Sequence, residues 1–194
     1  MHHVIPDDHD KSAALLARSF DGDPQMRFLF PDPATRVADL TDFFSTILGA
    51  GVRRGHTYTI PGRAVSLWAP PAVTALTDDE AGPIVELIAG RYGAEGIARL
   101  VALSEAMATH HPTDPHMYLF IVGVEPSLQG QGIGLAILGP TLAHCDVVGA
   151  SAYLESSNPR NISFYERLGF EVRSEFYPEG GPLFTGMWRD PLRA

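Results

Sequence analysis

A nine-residue apolar run, "HMYLFIVGV" at 116–124, is the feature that most restricts how this chain can fold. A strand with one solvated face alternates apolar and polar residues, whereas this run is apolar almost throughout, so it predicts a buried central strand. A glycine-rich loop at 125–134 and a helical pattern to about residue 147 follow, and "SAYLES" at 151–156 returns to strand character. This order of strand, helix and strand predicts two adjacent parallel strands in one sheet.

The rest of the chain divides into amphipathic helices and short strands. We expect helices over 10–20, 36–50, about 83–109 and 159–168, and strands over 56–60, 64–70 and in the closing segments "FEVRSEF" and "LFTGMW". Asp10 is the expected cap of the first helix, and the apolar face predicted for the second comprises Val37, Leu40, Phe44, Ile47 and Leu48. Pro140 is expected to kink or interrupt the helix in which it lies.

Composition narrows the class of protein. The chain has 194 residues, 45% of them hydrophobic, which fits one folded domain with a proper core. Its formal net charge of -9 disfavours nucleic acid and anionic membranes as partners, since both require basic patches. We expect a cytoplasmic protein with no secretory signal, and we expect Cys145, the one cysteine, to be an inert buried thiol.

The glycine-rich loop can bind an anion, because a loop between a strand and a helix presents free backbone N–H groups at the positive end of the helix dipole. A dinucleotide fingerprint requires a third glycine at position 135, which is Leu135 here. A phosphate-binding P-loop requires a lysine, and Lys11 is the only lysine in the chain. The remaining pattern is Q-x-x-G-x-G, formed by Gln129, Gly132 and Gly134. The loop alone leaves open a merely flexible turn.

A second motif lies about 30 residues further on. Asn158 is a good helix N-cap, Pro159 occupies the favoured first helical position and Gly169 lies where a C-terminal glycine is expected. Asn161 and Tyr165 are four residues apart and share a helix face. We expect the apolar pair on the neighbouring face, Phe164 and Leu168, to pack inward and to leave this polar pair along one edge.

The two motifs together resemble the GNAT superfamily of acetyl-CoA-dependent N-acetyltransferases. The resemblance covers about residues 115–173, and within the superfamily it is similar to the puromycin N-acetyltransferase group. It implies an α/β (α+β) fold: a mixed, mostly antiparallel twisted sheet with a parallel central strand pair and helices on both faces. It also implies a single domain over 1–194, with an acceptor-side half at 1–115, acetyl-CoA motifs at 116–173 and closing strands at 174–194.

The same resemblance implies a set of ligand-binding residues. Acetyl-CoA would be the co-substrate, and no metal is expected. The loop amides would bind the pyrophosphate, the backbone of the central strand would pair with the pantetheine arm, and the second motif would contact the arm and the thioester. These residues are Gln129, Gly130, Gln131, Gly132, Ile133, Gly134, Leu135, then Val122, Gly123, Val124, and finally Asn161 and Tyr165.

Acetyl transfer requires loss of a proton from the amine, a donor to the oxyanion and protonation of the departing thiolate. Tyr165 is the candidate acid, and the backbone N–H of Val122 or Val124 is the candidate oxyanion donor. Glu155 is the first candidate base, directly or through water, and His116 is the second. Direct transfer needs no covalent intermediate.

The acceptor predicted by this reading is a primary amine of a small molecule, aminonucleoside-like or otherwise cationic. Phe28, Phe44 and Trp68 are candidate pocket aromatics, although core packing explains such residues as well. A non-catalytic acyl-CoA-binding module of the same fold is the alternative function. The oligomeric state stays open, and a homodimer is compatible with the sequence.

Overall fold

The computed structural model describes residues 1–4, 6–54 and 56–192. The strands are β1 (His2–His3), β2 (Thr57–Ile60), β3 (Ala64–Ala69), β4 (His116–Val124), β5 (Ser151–Ser156), β6 (Glu171–Phe176) and β7 (Phe184–Arg189). The α-helices are α1 (His9–Phe20), α2 (Pro24–Leu29), α3 (Arg36–Arg54), α4 (Asp78–His110), α5 (Ile133–Val148) and α6 (Ile162–Arg167). Short 3-10 turns cover Pro6–Asp8, Pro126–Leu128 and Pro159–Asn161. Among the described residues, no helix is both long and apolar enough to span a bilayer.

The described strands form one seven-stranded sheet in the order β1-β2-β3-β4-β5-β7-β6. Only β4 and β5 are parallel, and every other neighbouring pair is antiparallel. Strand β4 is fourth in the order, and none of its nine residues is exposed. The predicted buried central strand and its parallel partner are therefore confirmed, as is the mixed, mostly antiparallel sheet.

The parallel strands part soon after they meet. They pair only through His116, Met117 and Tyr118 of β4, although β4 continues to Val124. Strand β4 also carries an extra residue, Phe120, opposite the step from Leu67 to Trp68 in β3. Such a bulge bends the strand that contains it and increases its twist. The remainder of β4 (119–124) and of β5 (154–156) thus border an opening in the sheet, which we call the β4–β5 wedge.

Two apolar cores lie on opposite faces of the sheet. One packs α1, α3 and α4 against it and includes Leu16, Phe44 and Leu67. The other packs α5 and α6 against it and includes Trp68 and Tyr165. Phe44 and Trp68 are 0% and 2% exposed, which makes them core residues rather than lining of an open pocket. Helices on both faces are the arrangement expected from the sequence.

Three helix predictions need correction. Helix α1 begins at His9 after Asp8, so Asp10 lies in the first turn and is not the cap. In α3, Val37 is 41% exposed while the other four predicted face residues are buried, because Arg36 takes the buried position in this first turn and donates to the carbonyl of Phe30. Helix α5 runs through Pro140 without interruption.

Helix α4 also differs from its predicted bounds. It begins at Asp78, five residues before the expected start at about 83, because Thr77 and Glu80 form a reciprocal capping box. Gly93 has φ 59° and ψ -149°, which breaks the helical geometry inside α4. The acidic residues Asp78, Asp79 and Glu80 therefore form the first turn of a long, broken helix.

Candidate active site

The glycine-rich loop joins the end of β4 to α5, and its three glycines have different structural roles. Gly130 and Gly132 have φ of 75° and 77°, a region that side chains rarely adopt, and a Cβ on either would meet nothing within 4 Å. Gly134 instead faces Phe164, whose ring carbon Cζ would lie 2.9 Å from a Cβ there. Gly134 therefore lets α5 approach the segment that carries Tyr165, which brings the two sequence motifs together.

The first turn of α5 is open to a ligand. Its N-cap is Gly132, which has no side chain to satisfy the free backbone N–H groups, and no acidic residue lies in the first turn. Gln129 donates from Nε2 to the carbonyl of Val124 at 3.2 Å, so its side chain fastens the loop to the strand end. Leu135 is 56% exposed on the same turn. The arrangement is that of an anion site built from backbone.

The wedge side of β4 carries the three predicted strand residues. Val122 and Val124 pack partly buried against the core of α5 and α6. A Cβ on Gly123 would collide with Leu16 and Ser19 of α1, so this glycine serves close packing of α1 on the sheet. All three residues lie beyond the last β4–β5 pair, where the strand edge faces the wedge.

The second motif forms a 3-10 turn followed by the short helix α6 instead of one ten-residue helix. Asn158 caps it by accepting a hydrogen bond from the backbone N–H of Arg160 at 3.1 Å. Gly169 has φ 89°, and the N–H groups of Gly169 and Phe170 donate to the carbonyls of Glu166 and Tyr165. These contacts form a Schellman ending, which confirms the predicted caps.

Tyr165 is the most buried residue of this segment, at 7% exposure. Phe164 and Leu168 are only partly buried and Asn161 is exposed, so the expectation that the apolar pair alone packs inward is wrong. The reason is that the Tyr165 ring packs against Phe170 in the core beneath α5 and α6. Burial, and then the negative charge of Asp23, raises the pKa of the Tyr165 hydroxyl well above its usual value.

Asp23 is a site residue that sequence reasoning missed. It caps α2, where Oδ1 accepts from the backbone N–H groups of Gln25 at 2.9 Å and Met26 at 3.4 Å, and also from Oγ of Ser157 at 2.7 Å. Burial raises the pKa of Asp23 against the opposing effect of these hydrogen bonds. The sequence pattern that could have identified Asp23 as a capping residue is an Asp followed by Pro24 in the first helical position, which is typical of a helix start.

Glu155 lies on the wedge portion of β5, on the face opposite Leu154. Its side chain is 1% exposed, and Oε1 lies 3.1 Å from Nδ1 of His111, which follows α4. Oε2 is shielded from solvent, and the hydroxyls of Tyr118 and Tyr153 lie close enough to the carboxylate to interact with it. Because a carboxylate only accepts, Nδ1 of His111 donates, and in the neutral ring Nε2 then carries the lone pair.

Aromatic rings surround this pair. The ring of His111 lies 4.8 Å from that of Tyr118 and 5.2 Å from that of Tyr153, both nearly perpendicular to it. Burial, followed by the charge of Glu155, raises the pKa of both tyrosines far above the usual value, so both stay protonated. Sequence reasoning missed His111 because its partner is 44 residues away in the chain.

His116, the second candidate base, is 7% exposed. Its Nδ1 donates to the carbonyl of Asp114 at 2.7 Å, and its ring packs against Trp188. Burial lowers its pKa, so the ring is held neutral. Cys145 is 0% exposed, and burial raises its pKa, which fits the predicted unreactive thiol. Within the described ranges, no three His, Cys, Asp or Glu side chains are grouped as a metal site.

The fold and this site define an acyltransferase class. A model of the acetyltransferase (GNAT) family matches residues 64–170, more than half of the chain. The chain therefore belongs to the acetyltransferase (GNAT) family, whose members transfer the acetyl group of acetyl-CoA, as the paired motifs predicted.

Among proteins of known name, the chain is 29% identical over 110 residues to a mycothiol acetyltransferase of Propionibacterium freudenreichii subsp. shermanii, covering 55% of this chain and 30% of that protein. A mycothiol acetyltransferase of Gordonia bronchialis is 35% identical over 106 residues, covering 47% and 34%. The chain thus spans about a third of the length of these relatives. The relatives do not test the finer resemblance to the puromycin group, which stays a prediction.

Solved structures agree on the fold. A histone acetyltransferase HPA2-related structure from Corynebacterium glutamicum superposes with a TM-score of 0.70 at 24% identity, covering 98% of this chain and 95% of that chain. A polyamine N-acetyltransferase of Drosophila melanogaster, which forms N-acetylagmatine, superposes with a TM-score of 0.61 at 14% identity, covering 97% and 98%. Both likenesses extend over the whole fold, including the helices around the wedge.

Proposed function

We propose that this protein transfers the acetyl group of acetyl-CoA directly to a primary amine of a small molecule. The observation that carries the proposal is the β4–β5 wedge: two parallel strands part after three residue pairs, beside a helix whose first turn is uncapped by any side chain. An extended pantetheine arm fits an open strand edge, and a pyrophosphate fits free helix N–H groups.

The binding mode follows from these two features. The backbone from Gln129 to Leu135 takes the pyrophosphate, with Gly130, Gln131, Gly132, Ile133 and Gly134 between them. The edge of β4 at Val122, Gly123 and Val124 pairs with the pantetheine arm, and Asn161 contacts the arm from its exposed 3-10 turn. The thioester then lies in the wedge, next to the buried face of α6.

In the transfer, the amine nitrogen attacks the thioester carbonyl, the C–S bond breaks, and the amine loses one proton while the sulfur receives one. The backbone N–H of Val122 or Val124 stabilises the oxyanion. Tyr165 acts on the sulfur. Because its pKa is raised above that of a thiol, the phenol stays protonated and stabilises the departing thiolate by donating a hydrogen bond, and the sulfur takes its proton from solvent water.

We assign the proton-accepting role to the Glu155–His111 pair. Glu155 is enclosed and its Oε1 is engaged by His111, whose side chain is 35% exposed. Nε2 of His111 is therefore the accessible basic atom, and Glu155 holds the tautomer that keeps it basic. Since Glu155 and Tyr165 pack on opposite faces of the sheet, the base and the acid approach the wedge from two sides.

The features described above specify the reaction more narrowly than they specify the class of acceptor amine. The relatives are named for mycothiol and the neighbouring structure for polyamines, so their names do not agree on one amine. An aminonucleoside-like or other cationic amine remains the expectation from the puromycin-group resemblance and the acidic net charge. Acetyl-CoA dependence fits the cytoplasmic location expected from the sequence.

Two measurements test the function. Calorimetric titration with acetyl-CoA should show binding, and its absence at millimolar ligand would exclude the proposed co-substrate. A panel of aminonucleosides, aminoglycosides, polyamines and aromatic amines, assayed for release of free thiol, should then show turnover that Tyr165→Phe reduces. Acetyl-CoA binding without turnover of any amine would favour the non-catalytic module.

A further inference from the structure

Strands β3 and β4 are antiparallel neighbours that are joined by an unusually long connection. Two residues suffice to link such strands in a hairpin, yet residues 70–115, including α4, separate them here. The sheet does not need this insertion to close, because the pairing of β3 with β4 is complete without it. A function for the insertion therefore has to be sought in what it builds.

The insertion lines a half-open cavity of about 660 Å³ against the start of β4. Most of the lining is apolar, with Val73 and Leu76 from the first part of the insertion, Met107 from α4, Pro112 from the following loop and Phe120 from β4. The size is within the range of pockets that hold small organic ligands, roughly 300–1,000 Å³.

The polar side chains of the lining are Thr74, His111, Thr113, Asp114, His116 and Tyr118. All but Thr74 come from the loop between α4 and β4 or from β4 itself, and these five form the polar side of the cavity. Glu155 lies directly behind His111. Asp114 is the one charged residue among the described residues that line the cavity. An anionic ligand would need Arg or Lys, and a polyamine would need several carboxylates. The lining instead fits an uncharged, apolar body with one basic nitrogen.

The cavity also lies next to the reaction centre. Tyr118 forms the last β4–β5 pair with Tyr153, so the polar side of the cavity begins where the wedge opens. Glu155 is two residues further along β5 and its side chain is 1% exposed. A buried carboxylate favours a positively charged neighbour at this point.

We propose that this cavity is the acceptor site, and that it takes a primary amine attached to an aromatic or otherwise apolar body, with the nitrogen directed at His111. The proposal rests on the proposed acetyltransferase function and specifies its substrate. The apolar body fills the space between α4 and the residue 70–76 segment, while the amine reaches the wedge beside the thioester.

Binding of a neutral product analogue tests the site without turnover. Calorimetric titration of N-acetyl-2-phenylethylamine into the protein with saturating CoA should show binding. Ala108→Leu narrows the cavity from α4 and should weaken this binding at least tenfold. Ala98→Leu, an exposed position on the same helix outside the cavity lining, is the matched control and should leave it unchanged. CoA affinity should be equal in all three proteins.

Measurements of turnover provide a second test of the cavity. 2-Phenylethylamine should be acetylated with a kcat/KM at least tenfold above that of putrescine or glucosamine, and Ala108→Leu should abolish this preference. Faster acetylation of the polar amines, with no effect of Ala108→Leu, would overturn the cavity assignment while leaving the acetyltransferase function intact. Acetyl-CoA binding and N-acetyl-2-phenylethylamine binding without turnover would support the cavity and contradict catalysis. No binding of N-acetyl-2-phenylethylamine at millimolar concentration would overturn the proposal.

Discussion

Nδ1 of His111 and Oε1 of Glu155 lie 3.1 Å apart, although the residues are 44 positions apart in the chain. Helix α4 supplies the histidine at its carboxyl end, and β5 supplies the carboxylate from the wedge. The contact joins the insertion that builds the cavity to the strand that borders the proposed thioester site. It therefore connects acceptor binding with proton removal.

We predict that His111→Gln lowers kcat/KM by roughly 10²-fold or more, the usual contribution of a general base. A base must be unprotonated to act, so protonation of the base at low pH should lower the activity of the unmodified protein. The groups that face this ring are Glu155 and Tyr153 on β5 and His116 and Tyr118 on β4. The pH dependence of log kcat/KM should lose its acidic limb in the variant.

Glu155→Gln tests separately whether Glu155 positions the His111 ring. The amide can still contact Nδ1, but it no longer selects the tautomer with a basic Nε2, so kcat should fall while KM for acetyl-CoA stays constant. His144→Gln changes an exposed histidine in the second half of α5 and should behave as the parent. An unchanged acidic limb in both His111→Gln and Glu155→Gln would remove the pair from the mechanism.

Tyr165→Phe should lower kcat by about 10²-fold, since it removes the hydrogen bond to the departing sulfur. The ring contacts with Phe164 and Phe170 remain, so thermal stability and acetyl-CoA affinity should be preserved. Because burial and Asp23 raise the pKa of this phenol, its ionisation should impose no loss of activity up to about pH 10. A basic limb below that pH that disappears in Tyr165→Phe would contradict the assignment.

Gly132→Ala should weaken acetyl-CoA binding. Gly132 has φ 77° at the N-cap of α5, and a side chain in that region costs about 1–2 kcal/mol. If the loop relaxes to avoid this strain, its amides leave the pyrophosphate, and affinity should fall by roughly 5- to 30-fold.

Gly139→Ala is the control for that substitution, because Gly139 lies inside the same helix with open space around its Cα and no positive φ. It should raise the free energy of unfolding by about 0.5–1 kcal/mol and leave acetyl-CoA affinity unchanged. Equal affinities for Gly132→Ala and Gly139→Ala in calorimetry would show that the left-handed glycine is not needed for the ligand.

The parts of this fold that were predictable are those encoded in short segments. The continuous apolarity of residues 116–124 predicted a buried strand. The capping residues Asn158, Pro159 and Gly169 predicted a short helix. These signals act over a few residues, so the sequence carries them without knowledge of the fold. The same is true of the glycine-rich loop between a strand and a helix.

The parts that were not predictable depend on packing between distant segments. Periodicity placed Val37 on an apolar face, but the first turn of α3 buries Arg36 instead, which depends on how α3 packs. Gly123 and Gly134 were predicted only as backbone ligand contacts, and their close packing against α1 and Phe164 was not foreseen. The pairing of His111 with Glu155 depends on where α4 ends relative to β5, which no local pattern records.

An ion pair between a buried arginine and a partly exposed aspartate, away from the site, offers a last prediction, about stability. Arg189 of β7 is 3% exposed and donates to both oxygens of Asp146 at the end of α5, at 2.7 and 2.8 Å. Asp146→Asn leaves the guanidinium without its counter-charge and should lower the free energy of unfolding by about 2 kcal/mol at pH 7. The hydrogen bond from Arg189 lowers the pKa of Asp146. The stability that the pair contributes is therefore present above the unfolded pKa near 3.9 and is lost as the pH falls through the folded pKa.

Urea unfolding at pH 7, 5 and 3 should therefore show that the difference in unfolding free energy between parent and Asp146→Asn shrinks at pH 3. Asp190→Asn changes an exposed carboxylate that accepts hydrogen bonds from Trp188 and Ser151, and it should lower the free energy of unfolding by less than Asp146→Asn does. Equal losses in both variants, or a difference that persists at pH 3, would contradict the role given to the pair.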